Sequence, residues 1–172
     1  MTASAFQSAS GYPELSNILN NFNHICREAN LSYEKLVTVN DSRIQTNAWQ
    51  VLPLKVETED KAVMNDTLCQ KNRSLAPVTC ATLEAITSIK AYAFSILHPK
   101  GHILPHAHDN PYVTAMLCLK DGGESFIRVN GETKYFHKRE IIVFDYTQLH
   151  EVKNNGLQDR IVLLMLLDNR RP

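Results

Sequence analysis

The sequence predicts a mainly β protein with N-terminal helices, closing as a jelly roll, the double-stranded β-helix. Three observations predict it. From residue 91 onward, eight short strand-like runs follow one another with no helical period between them. Asp121-Gly122-Gly123 and Asn130-Gly131 punctuate those runs, and Asn-Gly is a strong two-residue hairpin signal. Before residue 90 the apolar pattern is helical instead.

Within 12–29, Leu15, Ile18, Leu19, Phe22, Ile25 and Cys26 recur with a helical period, and Pro13 suits a first helical turn. Trp49-Gln50-Val51-Leu52-Pro53-Leu54 reads as a short strand. The polar, charged stretch 57–74 reads as a surface loop. A second helix is expected from 77 or 79 to 89, with Leu83, Ile86 and Ile89 on one side. The strands then fall at 91–97, 102–106, 112–119, 125–129, 133–136, 141–146, 151–153 and 160–167. No internal repeat or linker interrupts the 172 residues, so one domain spanning 1–172 is expected. Its helical part, about 1–90, would pack on one sheet of a barrel core at about 91–168.

Eighteen basic residues balance eighteen acidic ones, which gives no global field for nucleic acid or an anionic membrane. The four cysteines, Cys26, Cys69, Cys80 and Cys118, form no C-x-x-C pair, which argues against a zinc ribbon and a disulfide framework. The N-terminus lacks the basic and apolar regions of a leader, and no window is apolar for long enough to span a membrane. A cytoplasmic protein is expected, with no nucleic-acid or membrane partner.

Two histidines stand out, His106 at the end of one strand-like run and His150 at the edge of another, with a β-rich stretch between them. Strands far apart in sequence can aim imidazoles at one point, which is how a barrel holds a transition metal in its mouth. A lone histidine at a strand end is usually an ordinary polar residue, so the combination matters more than either member. His108, two residues after His106, could be a third ligand, and so could Asp109 if the loop curls. His150-x-x-x-Asn154 is a short, weak echo of a cupin motif. His98, His102 and His137 have no partner at ligand spacing. Arg160 opens the apolar run Ile161-Val162-Leu163-Leu164-Met165-Leu166-Leu167, and a guanidinium at the edge of a buried strand needs an anion. A dicarboxylate co-substrate would supply one, held by Arg160 with a hydroxyl such as Ser95 beside it.

These residues resemble the aspartyl/asparaginyl β-hydroxylase family of Fe(II)- and 2-oxoglutarate-dependent oxygenases. The matching features are Ser95…His98-Pro99, Pro105-His106, Phe144-Asp145…His150-Glu151-Val152 and Arg160, with Trp49 and Pro77-x-Thr79 as a looser match upstream. Ser95 precedes His106 by eleven residues and Arg160 follows His150 by ten, and the likeness covers about 47–167. The resemblance implies a cupin-like barrel in which His106 and His150 hold Fe(II) without a protein carboxylate. It also implies that Ser95 and Arg160 hold the distal carboxylate of 2-oxoglutarate. The implied activity is a dioxygenase that consumes O2, hydroxylates a small amino-acid-like or peptidyl substrate, and releases succinate and CO2. Arg128, if it faces inward, would meet the substrate's carboxylate.

One departure stands out. The family carries an Arg-x-His pair for the metal-proximal carboxylate on the strand after the first ligand, where this chain reads Ala115-Met116-Leu117. Lys120, Arg128 or His108 would have to substitute. Two rival readings follow: a three-histidine cupin metalloenzyme that does not use 2-oxoglutarate, and a ligand-binding barrel without turnover. The family's membrane anchor and lumenal extensions have no counterpart here, so a role in the secretory pathway is not expected.

Overall fold

Among the described residues, eleven strands form two antiparallel sheets in the computed structural model, which describes residues 4–39, 41, 48–56 and 66–168. In chain order the strands are β1 (Phe6–Gln7), β2 (Val37–Thr38), β3 (Trp49–Lys55), β4 (Ile89–Leu97), β5 (His102–His106) and β6 (Tyr112–Asp121). Then come β7 (Ser125–Val129), β8 (Glu132–Tyr135), β9 (Ile141–Asp145), β10 (His150–Asn154) and β11 (Arg160–Asp168). The large sheet has the order β1-β9-β6-β11-β4-β3-β2, and the small one β5-β10-β7-β8. From β4 onward the chain crosses between sheets at every connection but the β7–β8 hairpin. That crossing pattern is the double-stranded β-helix. The hairpin turns at Asn130 (φ 45°) and Gly131 (φ 85°), the left-handed pair that an Asn-Gly turn supplies at least strain.

The large sheet is buried on both faces. Phe94, Ile96, Ala115, Leu117, Leu163 and Met165 point toward the helices and meet Ile18, Ile25 and Leu83. Leu97, Met116, Cys118, Phe144 and Val162 point the other way and meet Ile103, Ile127, Val129 and Val152 of the small sheet. The second set is the barrel interior, where the site is built.

All eight expected barrel strands are present, most within a residue or two of the expected bounds. The first helical stretch begins as a 3₁₀ helix at Pro13–Asn21 and continues as α1 (Phe22–Leu31). The polar stretch expected to be a loop holds α2 (Asp66–Arg73), while 57–65 lie outside the described residues. Part of the buried side of α2 is Asn72, which donates to the Pro53 carbonyl, so its apolar period is broken. The next helix, α3 (Pro77–Glu84), is shorter than expected. Ile86 and Ile89 reach the same core through turns whose amides bond to the Leu83 and Ile86 carbonyls, which imitates a helical spacing.

The start of α3 is capped from another helix. Ala76 offers no capping side chain, and instead the Glu28 carboxylate on α1 accepts from the Val78 amide (2.8 Å), the Thr79 amide (2.8 Å) and the Thr79 hydroxyl (2.6 Å). A buried carboxylate on three orphan donors at a helix N-terminus combines charge-assisted hydrogen bonds with the helix dipole. Glu28→Ala is expected to cost about 3 kcal/mol, read as a lower urea midpoint, and Glu28→Gln less. An unchanged midpoint would mean that water serves these donors equally well.

Candidate metal centre

His106 ends β5 and His150 begins β10, and the two are direct cross-strand partners. Their rings lie 4.3 Å apart, centroid to centroid. Each Nδ1 is 2.7 Å from the carbonyl oxygen two residues earlier, Leu104 for His106 and Gln148 for His150. An imidazole that donates from Nδ1 to a carbonyl keeps its lone pair on Nε2, the tautomer a metal requires. The same local device thus presets both ligands. His108 joins them from the loop after β5, its ring stacked on Tyr146 at 3.7 Å with 7° between planes. One ligand atom from each of the three histidines lies within 4.8 Å of the others. Ligand nitrogens about 2.1 Å from one ion stand roughly 3–4 Å apart, so a small closing movement makes a complete donor set. Three neutral imidazoles suit iron, copper, nickel or zinc.

Burial pushes His150 down from the ordinary 6.5 to about 4, and the adjacent His106 adds to this, while the Gln148 carbonyl opposes it. The ring is therefore neutral and ready to ligate at neutral pH. Between these two values the unfolded chain binds a proton that the fold resists, so stability rises with pH there. The metal-free protein is expected to keep this contribution in full above about pH 6.5 and to lose about 3 kcal/mol of it as pH falls to about 4. Urea midpoints measured against pH should show the slope in the wild type and a flatter one in His150→Asn. An equal slope in both would place the titrating group elsewhere.

Arg160 sits deeper in the barrel, at the start of β11 opposite Leu97 of β4 and Asp121 of β6. It is 1% exposed, its guanidinium lies 5.1 Å from the Phe136 ring centroid, and its Nε has no hydrogen-bond partner among the described residues. Among the described residues it forms no ion pair with an acidic side chain. Burial lowers it to about 10, which still leaves it cationic at neutral pH. The neighbouring Cys118 thiol offers no counter-charge, because burial raises it to about 12. A buried cation without a counter-ion is a costly arrangement that an anionic ligand relieves. Ser95 stands opposite Val162, two positions along β11 from Arg160, so both occupy the inward face of adjacent strands. Its Oγ accepts from Trp49 Nε1 at 2.9 Å, which leaves the hydroxyl proton to donate elsewhere.

Several sequence expectations need correction. Arg128 does not enter the barrel. Ile127 and Val129 face inward, so strand alternation turns Arg128 out, where it pairs with Glu151 (2.8 Å) and bonds to Thr133. Lys120 is likewise exposed. Asp109 is exposed and stands outside the histidine group, which favours His108 as the third donor. Asn154 is a structural tie, its Nδ2 donating to the Leu97 and Gln158 carbonyls. His98 is bonded at both ring nitrogens, to Asp159 and Gln50, and His102 is bonded to Glu151. Ala115 and Leu117, which stand where the resemblance puts the basic pair, face the helices. The inward residues of β6 are Met116 and Cys118, with Thr114 on the same parity.

No curated protein matches this sequence. Solved structures with a similar backbone include the cupin domain of Schizosaccharomyces pombe Cnp3, at 11% identity over 77% of this chain and 70% of that one, TM-score 0.46. A cupin-2 domain from Rhodospirillum rubrum is 9% identical over 80% of this chain and 71% of that one, TM-score 0.49. A predicted oxalate decarboxylase from Thermotoga maritima is 13% identical over 69% of this chain and 79% of that one, TM-score 0.44. The family model described as aspartyl/asparaginyl beta-hydroxylase matches residues 13–172, nearly the whole sequence. Because that match spans far more than half of the sequence, the chain belongs to the aspartyl/asparaginyl beta-hydroxylase family.

Proposed function

We propose that this protein is an Fe(II)- and 2-oxoglutarate-dependent dioxygenase that hydroxylates a small amino-acid-like or peptidyl substrate. The observation that carries the proposal is the fully buried Arg160, which has no acidic partner among the described residues and shares a barrel with a preset histidine cluster. When bound, Fe(II) and 2-oxoglutarate supply dioxygen activation, with succinate and CO2 as co-products. The chain's own residues bind and orient. His106 and His150 hold the ion through Nε2, and His108 stands ready beside them. Arg160 and the Ser95 hydroxyl hold the distal carboxylate in a dry pocket, where a charge-assisted pair is strongest. On this reading the fold's contribution is positioning and the exclusion of water. The described cysteines are all free, in keeping with the reducing cytoplasm. Among the described residues no helix is long and apolar enough to cross a membrane.

A second reading has its own observation. His108 brings a ligand atom within 4.8 Å of those of the other two histidines, which suits a three-histidine cupin metalloenzyme that makes no use of 2-oxoglutarate. Anaerobic addition of 2-oxoglutarate to the Fe(II)-loaded protein separates the two. A new visible charge-transfer band, retained in His108→Ala, is expected if the dioxygenase proposal holds. Iron binding that requires His108 and is indifferent to 2-oxoglutarate would favour the rival.

A further inference from the structure

Among the described residues, three buried side-chain polar atoms lack a hydrogen-bond partner, and two of them, Arg160 Nε and Thr114 Oγ1, belong to inward positions of the barrel. Thr114 is fully buried. An unpaired hydroxyl in such a place is destabilising, and valine would fill the same volume without that cost. Its position gives the cost a use. Thr114 faces Phe144 across the β6–β9 pair, and the Phe144 ring lies 5.0 Å from that of His150. Four residues along the same inward face of β6, Cys118 stands opposite Val162, beside the Arg160 guanidinium. This face therefore runs from the arginine end of the barrel to the histidine end, with an unpaired polar atom near each extreme. A dicarboxylate held by Arg160 and reaching toward the histidines would lie along it.

On the dioxygenase reading proposed above, on which this inference rests, the metal-proximal carboxylate lacks a basic pair, because Ala115 and Leu117 stand in its place. Both residues face the helices, Lys120 and Arg128 are exposed, and His108 stands in the histidine group itself. Gln148 Oε1, the third unpaired atom, is an acceptor and cannot serve a carboxylate. We infer that the Thr114 hydroxyl donates a hydrogen bond to the iron-proximal carboxylate of 2-oxoglutarate, taking over from that pair as a neutral binding group. The site then depends on Arg160 for charge and on Thr114 for the orientation of the chelating end.

The test compares wild type, Thr114→Val and Thr114→Ser by two measurements. One is the dissociation constant of 2-oxoglutarate for the anaerobic Fe(II) protein, followed by its absorption band. The other is the melting temperature of the metal-free protein. Thr114→Val is expected to weaken 2-oxoglutarate at least about tenfold while leaving the metal-free protein as stable or more so. Thr114→Ser, which keeps the hydroxyl, should recover most of the affinity. Unchanged affinity in Thr114→Val beside a wild type that binds would overturn this inference and leave the dioxygenase reading standing. A lower melting temperature in Thr114→Val would also overturn it, because the hydroxyl would then serve the fold. A wild type that binds iron but not 2-oxoglutarate would overturn both.

Discussion

His150→Ala is expected to abolish metal-dependent turnover of 2-oxoglutarate. The ring it removes is buried, neutral at physiological pH, and aimed by the Gln148 carbonyl, so no rotamer of a neighbour replaces it. His106 and His108 remain, but His108 comes from a loop and is held by stacking on Tyr146. Losing a group that merely orients a ligand costs roughly 10–100-fold in metal affinity, and losing the ligand itself should cost more. Iron titration should show the loss of affinity, and a succinate assay the loss of turnover. A near-ultraviolet circular dichroism spectrum like that of the wild type would show that the barrel persists. Succinate production retained in this variant would remove His150 from the centre.

Arg160→Met should separate stability from function. In the ligand-free protein the guanidinium is fully desolvated with no acidic partner among the described residues. Replacing an ill-compensated buried charge with an apolar side chain of similar volume is expected to stabilise by about 1–4 kcal/mol. The same change should remove the response to 2-oxoglutarate. The wild type at a hundredfold excess over its dissociation constant gains about 2.7 kcal/mol, seen as a raised melting temperature, and the variant should gain almost none. Its apparent Michaelis constant for 2-oxoglutarate should rise about 100-fold or more, with iron binding little changed. A variant less stable than wild type in the absence of ligand would mean that the fold itself needs the cation, and the anion slot would lose its support.

The barrel was legible where one physical signal dominated. The Asn130-Gly131 turn and the strand-like runs marked β4 to β11 because turn chemistry and apolar runs agreed along the chain. The two-residue strands β1 and β2 are too short to carry any period. The histidine pair was visible through its place at strand edges, but its register was not, since pairing depends on how the two sheets close. The error over Arg128 was one of parity. Nothing in Ser125-Phe126-Ile127-Arg128-Val129 states which face meets the other sheet until Ile127 and Val129 are seen in the interior core. Thr114 was overlooked for the complementary reason: in β6 Val113, Ala115 and Leu117 are as apolar as Met116 and Cys118, so the interior side carries no signature.

The double burial of β6 and β11 has a consequence for how freely the chain can vary. In the small sheet, outward positions such as Arg128 or Lys153 are free to drift among polar residues while their neighbours are not, so tolerance alternates along each strand. In β6 and β11 a charged replacement at either parity meets a packed surface, toward the helices or toward the small sheet. A saturation library scored for soluble expression should therefore show a two-residue rhythm of permitted change in β7 and β10, and uniform intolerance through most of β6 and β11.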